Sequence, residues 1–318
     1  MPLPLEILNV VSMRRVCTAS KQRLKGLQPL ETIASRSVAL LCVAAVFLGA
    51  TAVSGQSAEP RDNTAVIRGQ KQELHHHPPT ATPLNKKVLF VPGVGGWRGW
   101  AITIAQTMAS WGYDVQGLDT KVYLDGFTGK TQPKEADIMN DFRELGEWMT
   151  NRSGERVILV GWSEGAGLGA LASAEERNKS VFAGFAAFGL GDENAIAWHW
   201  ADNLTSLVSK PNEPTFKAAD YMARIAPLPF FMIQSSHDQY TPLDEAKRLF
   251  ALAHEPKRFV LVEGRNHRFD GNQDEFFQTV REGLQWLRQD PVQRAHPPAA
   301  RIGCRSRARS WRSPECAR

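Results

Sequence analysis

Gly161-Trp162-Ser163-Glu164-Gly165 fits the pattern G-x-S-x-G and follows directly on the apolar run Val157–Val160. On a sharp strand-to-helix turn such a serine is lifted above the sheet edge as a nucleophile. Glycines flank it because the strained, crowded backbone there leaves no room for a Cβ. A serine nucleophile needs a base, and the base needs an acid to hold its tautomer. Both follow, in the order serine, aspartate, histidine. Asp238 lies in Ser235-Ser236-His237-Asp238-Gln239-Tyr240-Thr241-Pro242, just after the apolar run Pro229–Gln234. His267 closes Gly264-Arg265-Asn266-His267, just after Phe259–Glu263. The chemistry is acyl transfer: His267 takes the Ser163 Oγ proton and returns it to the leaving group, while Asp238 stabilises the imidazolium. The five-residue pattern alone is weak, since a plain Gly/Ser turn would match it. Three residues in the required order are a stronger signal. His237 precedes the acid and is in the wrong order, and Asp119 and Asp192, which also follow apolar runs, are fallback acids.

Such chemistry also needs donors for an oxyanion. The backbone N–H of Glu164 is one, aided by the positive end of the helix that begins there. The second is expected from Val94 or Gly95, in the loop Pro92-Gly93-Val94-Gly95-Gly96-Trp97 after the apolar run Val88–Val91. Gly93-Val94-Gly95 also begins a dinucleotide fingerprint, but the third glycine of G-x-G-x-x-G is missing. A carboxylate directly after the nucleophile is unusual. The mechanism uses only its N–H, so the Glu164 side chain is expected to turn away, toward an arginine or the first helical turn.

The elements that must position these residues read as alternating strands and helices. Strands are expected at Val88–Val91, Asp114–Leu118, Val157–Val160, Phe182–Phe188, Pro229–Gln234 and Phe259–Glu263. Helical periodicity covers Trp100–Ser110, Glu135–Thr150, Ser163–Ala174, Leu243–Ala253 and Asp274–Arg288. This alternation predicts an α/β fold: a mostly parallel sheet of at least six strands with helices on both faces, and candidate residues at the carboxyl ends of strands. Between about 190 and 224 the pattern breaks into a small cap insertion bearing Trp198, His199 and Trp200. Trp97, Trp162 and Trp198 are candidates to line a substrate pocket. Docking of the insertion on the body explains the cap tryptophans equally well.

The segments VLFVPGVGG, GWSEGAG, SSHDQYTP and EGRNHRF resemble the α/β-hydrolase superfamily across about 86–287. Within them, Gly95-Gly96-Trp97-Arg98, Ile104–Asp119 and Gly129-Lys130-Thr131 before a helix resemble the VirJ-type virulence proteins of bacteria. The first resemblance implies the α/β-hydrolase fold with Ser163, Asp238 and His267 as its triad. The second implies a periplasmic serine hydrolase, and some members of that family hydrolyse aminoacylated phosphatidylglycerol.

Outside the body, residues 1–55 read as a signal peptide or N-terminal anchor. Six basic residues precede Val38–Val53, an apolar stretch of 16 residues followed by small ones. That stretch is short of the roughly 20 residues of a spanning helix, which favours cleavage over anchoring in the inner membrane. The expected location is therefore periplasmic or secreted. Residues 56–85 are polar and proline-rich and read as a linker, with His75-His76-His77 part of it rather than a metal site. Residues 86–290 form the expected hydrolase domain, and 291–318 a disordered tail.

From Arg294 the tail carries seven arginines against Glu315, and residues 1–36 carry six basic residues against two acids. With +5 overall, the body between them is mildly acidic, which argues against nucleic acid as a partner. The tail suits contact with an anionic lipid surface or nucleic acid, and an unselected extension is the simpler account. Cys17, Cys42, Cys304 and Cys316 all fall outside the body, so cysteine catalysis and a Cys/His metal site are excluded there. The expectation is an exported serine hydrolase acting on a small-molecule or lipid ester, without metal or cofactor. A hydrolase of aminoacylated phosphatidylglycerol and a non-catalytic periplasmic binding protein are the alternatives. A peptidase or acyltransferase would use the same triad.

Overall fold

Strands apolar on both faces can be buried only if helices cover both sides of their sheet. The chain is seen in a computed structural model, which describes residues 63–126, 133–197, 214–290 and 294. The strands are β1 (Thr64–Ile67), β2 (Gln70–His77), β3 (Lys87–Val91), β4 (Asp114–Leu118), β5 (Val157–Trp162), β6 (Phe182–Phe188), β7 (Glu193–Ala195), β8 (Thr215–Lys217), β9 (Phe230–Ser235) and β10 (Lys257–Val262). Eight of them form one sheet in the order β1-β2-β4-β3-β5-β6-β9-β10, with β7 and β8 paired separately. From β4 to β10 all neighbours are parallel, while β2 joins β4 and β1 joins β2 antiparallel. All six expected strands are present.

The helices are α1 (Trp100–Ser110), α2 (Thr120–Asp125), α3 (Glu135–Met149), α4 (Glu164–Ser173), α5 (Ala219–Met222), α6 (Leu243–Leu252) and α7 (Gln273–Arg288). The two-residue period of the strands sorts them into two layers. Leu89, Val91, Val157 and Leu159 face Phe142 of α3 and Leu168 of α4, in a core that also takes in Met222 and Leu249. Val88, Phe90, Ile158 and Val160 face the opposite core, with Ile104 and Met108 of α1 and Val280 and Leu284 of α7.

The reading of 56–85 as a linker fails over 64–77, where β1 and β2 form a hairpin on the sheet edge. The turn residues Arg68 and Gly69 both have positive φ, 48° and 78°, as a two-residue hairpin loop demands. The signal was weak because an edge hairpin buries few apolar groups: Ala65, Ile67 and Leu74 face the core, while Val66 is 60% exposed. A buried ionic cluster secures the hairpin. Arg68 Nε and Tyr123 Oη donate to Asp141 Oδ2 at 3.1 and 2.6 Å. Burial raises the Asp141 pKa to about 6, against the lowering pull of Tyr123 and Arg68.

His75, His76 and His77 are strand residues, not linker. His75 stacks on Trp97 with centroids 4.7 Å apart, and His76 Nε2 lies 2.7 Å from Asp114 Oδ1. Among the described residues no group of His, Cys, Asp and Glu is arranged to hold a metal ion, and no helix is long and apolar enough to cross a membrane. The leader 1–55, with its anchor candidate Val38–Val53, and most of the tail lie outside the described residues.

Candidate active site

Strand β5 runs directly into α4 with Ser163 between them at φ 58° and ψ −125°, a positive φ that non-glycine residues seldom adopt. Close packing enforces the turn: a Cβ on Gly165 would fall 1.9 Å from the Val91 carbonyl oxygen, and one on Gly161 2.3 Å from that of Gly165. Ser163 N–H donates to the Phe188 carbonyl at 2.9 Å, tying the elbow to β6. The loop after β3 crosses close above it, since a Cβ on Gly93 would meet Ser163 Oγ at 3.3 Å.

Asp238 and His267 arrive from the carboxyl ends of β9 and β10, which pair in parallel. Asp238 Oδ2 lies 2.6 Å from His267 Nδ1 and accepts from Gln234 Nε2 at 3.2 Å. Its Oδ1 accepts the N–H groups of Tyr240 and Thr241 at 2.9 and 3.0 Å. Burial alone would raise the Asp238 pKa. The His267 hydrogen bond and charge, with the two backbone donors, outweigh it and hold the carboxyl below its ordinary value. An ionised carboxylate only accepts, so Nδ1 carries a proton, which in the neutral imidazole leaves the lone pair on Nε2. That Nε2 is buried and has no hydrogen-bond partner among the described residues. Trp162 stacks beside the imidazole with centroids 5.6 Å apart, the Tyr240 ring stands edge-on at 5.3 Å, and the His267 N–H donates to Gln239 Oε1 at 3.1 Å. The structure thus joins Asp238 to His267 directly, while Ser163 makes no hydrogen bond to Nε2. Ligand-free sites often leave that contact long.

The other candidates separate. The N–H groups of Val94 and Gly95 donate no hydrogen bond among the described residues, as donors reserved for a ligand would. The Glu164 carboxylate accepts the Ala195 N–H, a partner the sequence did not suggest, and so joins the elbow to β7 at the base of the cap. Trp97 packs on the sheet, stacked on His75 and lying where a Cβ of Gly117 would fall 1.9 Å away. Trp198 lies outside the described residues, as do His199 and Trp200. Both fallback acids are engaged elsewhere. Asp119 accepts from Trp97, Lys121 and Val122 N–H groups, and Asp192 accepts from Ala219 N–H and Arg248. His237 is exposed, against the Gly264 carbonyl.

Sequence reasoning missed Gly189, one residue past β6. Its φ is +60°, and a Cβ there would stand 2.5 Å from His267 Cε1 and 2.9 Å from Nδ1. A glycine directly after a strand, at the sheet edge where sites form, was the available signal. Gly189→Ala is expected to leave the far-ultraviolet circular dichroism unchanged while moving the imidazole. Misplacement on the scale of 1 Å costs about 10²-fold. Steady-state kinetics should place the loss in kcat rather than KM, and an unchanged kcat would contradict the assignment.

The comparisons with known proteins agree with this architecture. An uncharacterized protein of Mycobacterium tuberculosis is 27% identical over 223 residues, covering 67% of this chain and 75% of that one. Among solved structures, the alpha/beta hydrolase GrgF from Penicillium sp. sh18 superposes with a TM-score of 0.52 at 12% identity, over 70% of this chain and 96% of its own. Est1E from Butyrivibrio proteoclasticus, solved with ferulic acid bound, gives 0.53 at 13% identity over 70% and 97%. Likeness at such identities speaks for the α/β-hydrolase fold. The finer kinship comes from the model of the bacterial virulence protein VirJ, which matches residues 85–285, the six strands from β3 to β10 of the main sheet with the elbow and both later turns; the chain belongs to the VirJ family.

Proposed function

We propose that the protein is an exported serine hydrolase that cleaves carboxylic esters through an acyl-enzyme. Ser163 Oγ attacks the ester carbonyl as its proton passes to His267 Nε2, and the oxyanion is held by the N–H groups of Glu164 and of Val94 or Gly95. Collapse expels the alcohol, which takes the proton from His267. Water then repeats the sequence on the acyl group, releasing the acid and restoring Ser163. The observation that supports this most is the buried His267, with Nδ1 on an ionised Asp238 and Nε2 left unpartnered. No cofactor enters the reaction. Trp162, packed on the imidazole, is placed to border the acyl site.

Membership of the VirJ family favours a second reading, hydrolysis of aminoacylated phosphatidylglycerol. A fluorophosphonate probe should label the purified protein and leave Ser163→Ala unlabelled. Absence of serine-dependent label would leave only a non-catalytic binding role. With label established, release of p-nitrophenol from short esters against amino acid from aminoacyl-lipid separates the two substrates.

A further inference from the structure

A cavity of about 480 Å³ opens at the amino-terminal ends of the parallel strands, on the side of the sheet away from Ser163, Asp238 and His267. Lys86 and Arg156 stand directly before β3 and β5, and Arg288 and Asp290 lie at the end of α7. Lys179 and Arg294 complete the charged lining, so five cations face one carboxylate. Ile158 and Leu287 supply an aliphatic part of the wall.

Internal partners neutralise only part of this charge. Lys179 is held by Glu176 and the Ala226 carbonyl, at 2.7 Å each, and Arg294 by the Gln289 carbonyl. The Arg288 guanidinium lies 5.9 Å over the Tyr113 ring. The Lys86 and Arg156 side chains make no ion pair or hydrogen bond among the described residues. Arg294 Nε is buried without a hydrogen-bond partner. Its pKa is lowered, first by burial and then by the charge of Arg156, against the raising pull of Asp290.

Like charges gathered in a concave, partly desolvated site are stable together when an anion bridges them, and guanidinium forks match the oxygens of a phosphoryl group. We propose that this cavity binds a phosphate-bearing ligand, at a site distinct from the candidate catalytic edge. The volume exceeds that of phosphate alone, and the aliphatic wall suits an organic substituent on the phosphoryl group. A soluble phosphate ester and a phospholipid headgroup share this chemistry.

The test uses the full chain, titrated calorimetrically with sodium phosphate against sodium chloride of equal ionic strength. Saturable phosphate binding is expected, at least about tenfold weaker in Lys86→Gln/Arg156→Gln, with ester hydrolysis unaltered. Should the double variant fail to fold, the two single variants serve, each weakening binding. The arginine-rich tail is the same in every variant, so it cannot produce the difference. Vesicles of phosphatidylglycerol, against phosphatidylcholine, distinguish the sources. Sedimentation with the acidic vesicles that phosphate competes away and the variants lose identifies a headgroup. Phosphate binding without sedimentation identifies a soluble ligand. Phosphate binding no better than chloride, or equal in wild type and variants, overturns the proposal.

Discussion

Ser163→Ala should lower kcat on an ester substrate by at least about 10⁴-fold while leaving KM within a few-fold, because the serine oxygen forms the bond that defines the reaction. The variant keeps its fold: Ser163 holds the elbow through backbone groups, its N–H on the Phe188 carbonyl and its carbonyl accepting from Ala166 and Gly167. Alanine at φ 58° bears the same strain that serine does, so the turn survives. Residual turnover should owe nothing to an acyl-enzyme. Pre-steady-state kinetics with excess chromogenic ester should show a burst in the wild type and none in the variant. A burst that survives the substitution would remove Ser163 as nucleophile.

The largest effect on stability is expected at the far edge of the sheet. Asp141 is fully buried, and its Oδ1 has no partner, so its charge is compensated through Oδ2 by Arg68 and Tyr123. Arg68→Leu removes the one cation paired with Asp141 among the described residues and strands the carboxylate. Breaking a buried pair on one side costs about 3–5 kcal/mol, against a total stability of about 5–15 kcal/mol for such a domain. Urea unfolding at pH 7 should show the loss, reduced at pH 5, where Asp141 escapes by protonation.

The wild type carries the same sign in milder form. The folded pKa of about 6 lies above the unfolded value of about 3.9, so the native state holds the extra proton between them. The contribution of this group is complete below about pH 4 and is lost as pH rises through 6. Relative to Asp141→Asn, the wild type should therefore lose stability over that interval. A pH-independent difference would show that Asp141 titrates at its ordinary value.

Much of this protein was legible in its sequence. Five of the six parallel strands could be read because both their faces are buried, which leaves unbroken runs such as VLFV and FFMIQ; β10, at the sheet edge, was legible from its run FVLV although it is only partly buried. The order serine, aspartate, histidine could be read because each residue falls at a strand's carboxyl end, a position set by local pattern. The hairpin 64–77 could not. Its longer strand, QKQELHHH, pairs with both β1 and β4, yet only Gln72 and Leu74 within it are buried, so it leaves no apolar run to read.

Trp97 shows the same limit from another side. A tryptophan in a glycine-rich loop suggested a pocket wall, yet its ring is used to press β2 onto the sheet over Gly117. Local pattern, in a word, determined the element order and the three candidate catalytic residues. Only the tertiary structure decided that Glu164 reaches Ala195 in the cap, that Gly189 leaves room for His267, that Arg68 meets Asp141, and that Lys86, Arg156 and Arg294 share one cavity. Those contacts join residues far apart in the chain. Periodicity reports which face of an element is apolar, but not which polar atom of a distant element will stand opposite it.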